Sequence, residues 1–275
     1  MTIGDAAVID VRPLLPGERE ALVHLLADLS PEEWQAPTAC PGWTVKAVAL
    51  HILEDDFGWL SRGRDGDHTA LLDDTIDYRE FVAQLDAKNQ RWVDGAAGLS
   101  PRVIIDLLVW SGAQVDEYLT SLDVGAASRV IWAGPDAAPL WFGLAREFTE
   151  RWVHQQQIRD AVGRPGLLDD EHLGPVLRTF LWALPHHYRD IDAAPGTTLV
   201  VWITGPGGGA WSLARQGEGW DLTEEEPDRR DAEVALSSDT AWRLLTGVLV
   251  PDAAVELRGD LAIAEPFASA RSIIV

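Results

Sequence analysis

Residues 44–60, TVKAVALHILEDDFGWL, carry the pattern that decides the fold class. Apolar side chains recur at Val45, Val48, Ile52 and Leu60, as they do on one face of an α-helix. Thr44 precedes the first of them and could cap the helix. The same helical spacing extends from about residue 14 to about residue 189. Four other predicted helices cover about 14–29, 75–94, 140–162 and 170–188. A further one begins near Pro101.

The spacing changes after a boundary at 190–196. Residues 198–204, TLVVWIT, form a β-branched run that is typical of a strand, and the glycine-rich segment 205–209 predicts a turn after it. Further strands are predicted at 211–215, 233–236 and 255–258, with short helices at 239–246 and 260–270. We therefore predict an α plus α+β protein, with a helix bundle at 1–189 and a small α+β domain at 197–275.

Charge and cysteine content exclude several classes of protein. The chain of 275 residues has 44 acidic and 22 basic residues, a formal net charge of −22. Because such a surface repels phosphates and anionic lipids, we expect neither nucleic-acid nor membrane binding. The single cysteine, Cys40, excludes an internal disulfide and a cysteine-rich zinc module. The N-terminus does not resemble a secretory signal and no long apolar run occurs, so we expect a soluble, cytoplasmic protein.

Three residues predict a metal site. Glu150 and His154 are four residues apart in the helix predicted at 140–162, so their side chains share one face. His51 lies inside a strongly apolar predicted helix, where an imidazole needs a partner. Two imidazoles and one carboxylate would hold a divalent ion and leave coordination positions open, as catalytic sites require.

Simpler interpretations stay open at this point. A Glu/His pair four residues apart is common on helix surfaces, and His51 could be a core residue bonded to a backbone carbonyl. His186 and His187 follow Pro185 and suit a helix end, although they could also be a ligand pair. Cys40 precedes a predicted helix N-terminus, where a thiolate would be stabilised, but it could equally be a buried loop residue.

Three segments resemble one family. Residues 34–51, WQAPTACPGWTVKAVALH, resemble the opening of the mycothiol-dependent maleylpyruvate isomerase family, in which a Cys-Pro-Gly-Trp-Thr-Val loop leads into a helix with a metal-binding histidine. Residues 146–163, REFTERWVHQQQIRDAVG, resemble its Glu-x-x-x-His helix, and 255–264, VELRGDLAIA, resemble the end of its C-terminal domain. The resemblance implies a DinB-like four-helix bundle followed by a sterol-carrier-like α+β domain.

The resemblance also implies a chemistry. It assigns His51, Glu150 and His154 as ligands of a divalent metal, zinc in that family, and mycothiol or a similar low-molecular-weight thiol as cosubstrate. It further implies a substrate-binding arginine in the C-terminal domain, for which Arg243, Arg258 and Arg271 are the candidates.

The function expected from the sequence is a metal-dependent isomerase or thiol S-transferase that uses the thiol to attack an electrophilic small molecule. Two alternatives remain. One is a non-catalytic small-molecule binding protein, since the 13 tryptophans could line an aromatic pocket. The other is a metalloenzyme of different chemistry, in which two histidines and a carboxylate hold iron.

Overall fold

The chain forms two compact units in the computed structural model, which describes residues 3–69, 72, 78–129, 137–225, 227, 229–248, 251 and 254–272. The first, here called the helical unit, comprises Arg12–Leu122 and Arg151–Gly166. The second, the sheet unit, comprises Met1–Val11, Asp123–Glu150 and Leu167–Val275. The mixture of helices and sheet agrees with the predicted α plus α+β class.

The helical unit is built around one buried helix. Its main elements are α1 (Leu15–Ala27), α2 (Val45–Gly58), α3 (Tyr78–Ala96), α4 (Pro101–Ser121) and, from Arg151 onward, the end of α5 (Leu140–Val162). Shorter segments are the 3-10 turns Arg12–Leu14 and Glu33–Gln35 and the π-helical turn Trp59–Arg64. α2 packs against both α3 and α4, and α4 also packs against α1. Because most residues of α2 are buried, its polar side chains need partners inside the unit.

Side-chain caps fix where two of these helices begin. The hydroxyl of Thr44 accepts a hydrogen bond from the backbone N–H of Ala47, which confirms the predicted start of α2. Ser100 accepts from the backbone N–H of Val103 in the same way, and Pro101 occupies the first turn of α4. α5 has the bounds predicted from the sequence. Residues 75–77 of the third predicted helix lie outside the described residues.

The sheet unit combines a strand pair, a larger sheet and short helices. β1 (Ala127–Arg129) and β2 (Ala137–Pro139) form the antiparallel pair. The larger sheet contains β3 (Thr198–Thr204), β4 (Gly209–Gln216), β5 (Gly219–Thr223), β6 (Ala232–Ser237) and β7 (Val255–Gly259). Their spatial order is β5-β4-β3-β6-β7, and β3 and β6 run parallel whereas the other neighbours are antiparallel.

Four helices accompany this sheet, namely α6 (Asp170–Leu181), α7 (Leu184–His187), α8 (Ser238–Leu245) and α9 (Leu261–Ala264). α8 packs against β3, β6 and α6, α7 against β5, and α9 against β6 and β7. A 3-10 segment, Glu265–Ser269, completes the predicted helical region at 260–270. The predicted strand at 198–204 is confirmed, and the other three predicted strands lie within β4, β6 and β7.

The glycine-rich turn between β3 and β4 is also confirmed. Gly205 and Gly207 have φ angles of +106° and +67°, a region that disfavours other residues. A side chain at Gly207 would also lie 2.4 Å from the backbone nitrogen of Gly174. Position 207 therefore requires glycine, both for its positive φ angle and for its close approach to the backbone of Gly174.

One predicted helix is wrong in its length. The segment 170–188 is divided into α6 and α7, with turn hydrogen bonds at Trp182 and Ala183. The physical reason is Pro185, which has no N–H and would clash with a carbonyl one turn earlier if α6 continued. Pro185 instead lies in the first turn of α7, and His186 and His187 end that helix.

The predicted domains at 1–189 and 197–275 follow chain order, whereas each compact unit combines separate segments. A DinB-like bundle and a sterol-carrier-like domain therefore stay predictions. Among the described residues, no helix has the length and hydropathy needed to cross a membrane.

The carboxylate of Asp56 on α2 is fully buried and links four helices. Arg19 of α1 donates from Nη1 and Nη2 to its two oxygens, each over 2.7 Å. Ser111 of α4 donates to Oδ2 over 2.6 Å, and Nη2 of Arg151 on α5 lies 3.5 Å from Oδ1. Because a buried charge without its counter-charge is strongly unfavourable, these groups depend on one another.

Glu18 on α1 is a second buried carboxyl group near these charges. Gln155 of α5 donates from Nε2 to Oε1 of Glu18 over 2.6 Å, whereas Oε2 has no hydrogen-bond partner within the described part of the chain. Burial raises the pKa of Glu18 above its ordinary value of 4.5, and the charges of Arg19 and Arg151 only partly oppose this shift. The folded chain therefore favours the protonated carboxyl group.

We predict that Asp56→Asn lowers the free energy of unfolding by about 3–5 kcal/mol, because it leaves the buried Arg19 guanidinium without its counter-charge. Urea unfolding followed by circular dichroism measures this change. Asp65→Asn is the matched control, since Asp65 pairs with Arg64 at the surface, and its stability should stay close to wild type. Equal stabilities of the two variants would contradict the assigned role of Asp56.

We predict that Glu18→Gln reduces the pH dependence of stability. The pKa of Glu18 is higher in the folded chain than in the unfolded chain, so its contribution is fully present below pH 4.5 and is lost as the pH rises through the folded-state pKa. Glutamine imitates the protonated side chain and removes that loss. Unfolding free energies measured from about pH 4 to about pH 8 should therefore decline less in the variant than in the wild type. Parallel pH curves for the two proteins would contradict this prediction.

Candidate metal centre

His51 is a buried imidazole in the middle of α2. Its exposed fraction is 7%, and the neighbouring Val48 and Ile52 are fully buried. Trp43, in the loop before α2, packs against the imidazole with ring centroids 5.2 Å apart. The indole Nε1 of Trp43 donates to Oε1 of Gln90 on α3 over 2.8 Å, which holds the ring in place.

The structure brings His154 to His51. His154 lies in the part of α5 that belongs to the helical unit, and its exposed fraction is 8%. The two imidazole centroids are 4.8 Å apart with an interplanar angle of 88°. Two predicted ligands that are distant in the sequence therefore meet in one buried place.

Glu150, the third predicted ligand, lies one helical turn before His154 on α5. Its side chain is buried, and Arg146 donates from Nη1 to Oε1 over 3.2 Å. Glu150 belongs to the segment Asp123–Glu150 of the sheet unit. Convergence of Glu150 with the two imidazoles on a single ion stays a prediction.

His154 has a buried hydrogen-bond partner that the sequence analysis missed. Nδ1 of His154 lies 2.8 Å from Oε1 of Gln157, three residues later on α5. The Sγ of Cys40 donates to the same oxygen over 3.0 Å. Cys40 is 8% exposed, so the structure supports its interpretation as a buried loop residue.

His51 faces carboxylates on its own helix. Nδ1 lies 3.6 Å from Oε2 of Glu54, and Nε2 lies 3.7 Å from Oδ2 of Asp55. Lys88 of α3 donates to the other oxygen of Glu54. Burial alone would raise the pKa of Glu54, but its interactions with His51 and Lys88 outweigh it, so the pKa lies below its ordinary value. Glu54 is therefore an ionised, buried acceptor.

These side chains fit a divalent transition metal. Imidazole and carboxylate groups are the ligands that such ions prefer. Nδ1 of His51 and Oε2 of Glu54 are buried without a hydrogen-bond partner among the described residues. Metal-bound histidines commonly donate from their other ring nitrogen to a carboxylate or carbonyl oxygen, which is the relation that Glu54 and Gln157 offer.

Among the described residues, the three side chains whose ligand atoms lie close enough together to hold one ion are in the sheet unit. Asp169, Glu171 and His172 place one ligand atom each within 4.8 Å of one another. Asp169 already caps α6, and its Oδ1 lies 2.7 Å from Nδ1 of His172. Asp169 and Glu171 are exposed, so these three side chains form a surface cluster around a helix cap.

The three candidate arginines have local partners in the sheet unit. Arg243 donates to Asp239 and packs over the Trp242 ring, with 4.3 Å from Cζ to the centroid. Arg258 pairs with Glu256 at the surface, and Arg271 donates to the Ala270 carbonyl. A substrate role for any of them stays a prediction.

A family model described as the mycothiol maleylpyruvate isomerase N-terminal domain matches residues 15–159. Among curated proteins, two uncharacterized proteins of Mycobacterium tuberculosis, from strains CDC 1551/Oshkosh and H37Rv, are each 28% identical over 208 residues, covering 72% of this chain and 74% of theirs.

Two solved structures share the fold. One is the mycothiol-dependent maleylpyruvate isomerase, with a TM-score of 0.53 and 13% identity. The other is a histidine-to-alanine mutant of a mycothiol-dependent maleylpyruvate isomerase, with a TM-score of 0.54 and 15% identity. Each match covers 94% of this chain and 95% of the other chain.

Proposed function

The chain belongs to the mycothiol maleylpyruvate isomerase N-terminal domain family, and from this premise we propose that it is a metal-dependent enzyme that uses a low-molecular-weight thiol. The thiol, mycothiol or a close analogue, would attack an electrophilic small molecule in an isomerisation or a thiol transfer. The observation that carries the proposal is the meeting of two buried imidazoles, His51 and His154, 4.8 Å apart.

The proposed ligands are His51, Glu150 and His154, and the proposed metal is zinc. Two neutral imidazoles and one carboxylate bring a single negative charge, so a divalent ion among them would retain a positive charge for an incoming anion. When bound, such an ion stabilises the deprotonated form of a thiol at neutral pH. Ligands of this kind with open positions are typical of catalytic rather than structural zinc sites.

The surrounding residues support this use of the site. Trp43 covers one side of the His51 ring, and the low exposure of both imidazoles keeps water away from them. In such dry surroundings the attraction between a cation and a thiolate is stronger than in water. Lys88 neutralises the charge of Glu54, so this carboxylate does not oppose an anionic thiol.

Metal content tests the site. We predict about one equivalent of zinc in the purified wild-type protein, little in His154→Ala and His51→Ala, and a reduced amount in Glu150→Gln. Elemental analysis of protein purified anaerobically measures this content and also detects iron, the metal of the alternative oxygen chemistry. His172→Ala is the matched control, because it removes the histidine of the surface cluster. Loss of metal in His172→Ala, with full content in His154→Ala, would contradict the proposal.

Turnover tests the chemistry. We predict that the protein, supplied with mycothiol and maleylpyruvate, gives a thiol-dependent conversion that chelation abolishes and zinc restores. An isomerisation regenerates the thiol, whereas a transfer consumes one thiol for each product, so titration of remaining thiol separates the two reactions. A protein that binds such ligands equally well after chelation, and never turns them over, would be a non-catalytic binding protein instead.

A further inference from the structure

Each of the two histidines has a polar side chain three residues later on its own helix. Glu54 follows His51 on α2, and Gln157 follows His154 on α5. Residues three apart lie on the same face of a helix, so the second side chain can reach the ring of the first. The sequence thus contains His-x-x-Glu and His-x-x-Gln at the two places that meet in the structure.

The hydrogen bonds of Gln157 assign the tautomer of His154. Oε1 of Gln157 lies 2.8 Å from Nδ1 of His154 and accepts from Sγ of Cys40 over 3.0 Å. With the amide in this orientation its carbonyl oxygen accepts, so Nδ1 carries hydrogen and the lone pair of the ring is on Nε2. The same orientation leaves Nε2 of Gln157 buried without a hydrogen-bond partner among the described residues. The opposite rotation of the amide would place its NH₂ group against Nδ1 and reverse the tautomer. The two amide orientations therefore predict opposite, measurable states of His154.

The contacts of Glu54 point to the same tautomer for His51. Its Oε2 and the Nδ1 of His51 are both buried, both lack a hydrogen-bond partner in the described residues, and lie 3.6 Å apart. That separation exceeds a hydrogen bond by only a few tenths of an ångström. Lys88 holds the other carboxylate oxygen, so Oε2 is directed at His51 as an acceptor. Hydrogen on Nδ1 would point a donor at the buried Oε2 of Glu54, whereas the carboxylate that faces Nε2, Asp55 at 3.7 Å, is partly exposed and can be hydrogen-bonded by water.

We propose that Gln157 and Glu54 are positioning residues, which hold hydrogen on Nδ1 of His154 and His51 and so make Nε2 the metal-binding atom of both rings. This inference rests on the proposed function, because it specifies how that metal site is prepared before an ion arrives. Cys40 and Lys88 act one step further out, since each fixes the orientation of one acceptor. Removing a residue that hydrogen-bonds a metal-binding histidine, as Gln157 and Glu54 are proposed to do, typically weakens metal binding by 10–100-fold.

The tautomers are measured in the metal-free full-length protein. With ¹⁵N-labelled histidine, long-range ¹H–¹⁵N spectra at about pH 8.5, where an ordinary imidazole is neutral, show which nitrogen carries hydrogen. We expect hydrogen on Nδ1 of both rings in the wild type. In Gln157→Leu the His154 signal should change toward hydrogen on Nε2, while the His51 signal stays as in the wild type. Glu54→Leu should have the converse effect.

Gln156→Leu is the matched control. Gln156 is the neighbouring buried glutamine on α5, but its Nε2 donates to the Gly166 carbonyl over 3.1 Å. This variant loses a buried amide without affecting Gln157, so the tautomer of His154 should not change. Gln157→Glu keeps an acceptor oxygen, so this variant should retain hydrogen on Nδ1 of His154, unlike Gln157→Leu. A merely structural role of Gln157 does not predict this difference between the two variants.

Zinc affinity, measured by competition with a chromophoric chelator, completes the test. We expect the Kd for zinc to rise about 10–100-fold in Gln157→Leu and to stay near the wild-type value in Gln156→Leu. Hydrogen on Nε2 of His154 in the wild type, or an unchanged tautomer in Gln157→Leu, would overturn the inference, as would equal losses of affinity in the two leucine variants. If the wild type bound no zinc, the proposed function would fail, and the tautomers in the metal-free protein would still decide whether Gln157 and Glu54 hold the two rings.

Discussion

The interaction on which the helical unit depends is the set of hydrogen bonds and ion pairs around the buried carboxylate of Asp56. Arg19, Ser111 and Arg151 approach it from three other helices. Asp56 follows His51 by five residues on α2, and Arg151 precedes His154 by three residues on α5. The cluster therefore holds α2 and α5 in the relative position that brings the two imidazoles to 4.8 Å.

The elements that the sequence predicts well are those whose causes are local. The cap at Thr44, the apolar run of β3 and the glycines after β3 each act within a few residues, and each is confirmed. α5 was predicted with its observed bounds because Gly163 follows a long helical pattern. Pro185 is a local signal too, and it lies in the first turn of α7, where the segment predicted as one helix at 170–188 is divided. β5 is not predicted, because Gly219 and Asp221, two residue types that are depleted in strands, interrupt its apolar pattern.

In the candidate site too, some residues are indicated by local sequence patterns and others only by the structure. Spacing and resemblance singled out His51 and His154, and the structure brings these two together. Gln157 was missed although it lies three residues after His154, because a glutamine on a helix carries no chemical signal until its partner is known. The pairing of Gln157 with Cys40 joins residues 117 positions apart in the chain, which no local pattern reports. Family membership supports the thiol chemistry that we propose, whereas the contacts of Gln157 with His154 and of Glu54 with His51 are visible only in the structure.

The arrangement around Asp56 has an evolutionary consequence. Asp56 accepts hydrogen bonds or pairs with side chains on three neighbouring helices. Its substitution alone is unfavourable, because each of those side chains would lose its interaction with the carboxylate at once. Arg19 is equally constrained, since its guanidinium has both of its short contacts to that one side chain. Across descendants of a common ancestor, these positions should therefore change together or stay as they are, and lineages that replaced the ion pair by apolar side chains should have done so at both positions.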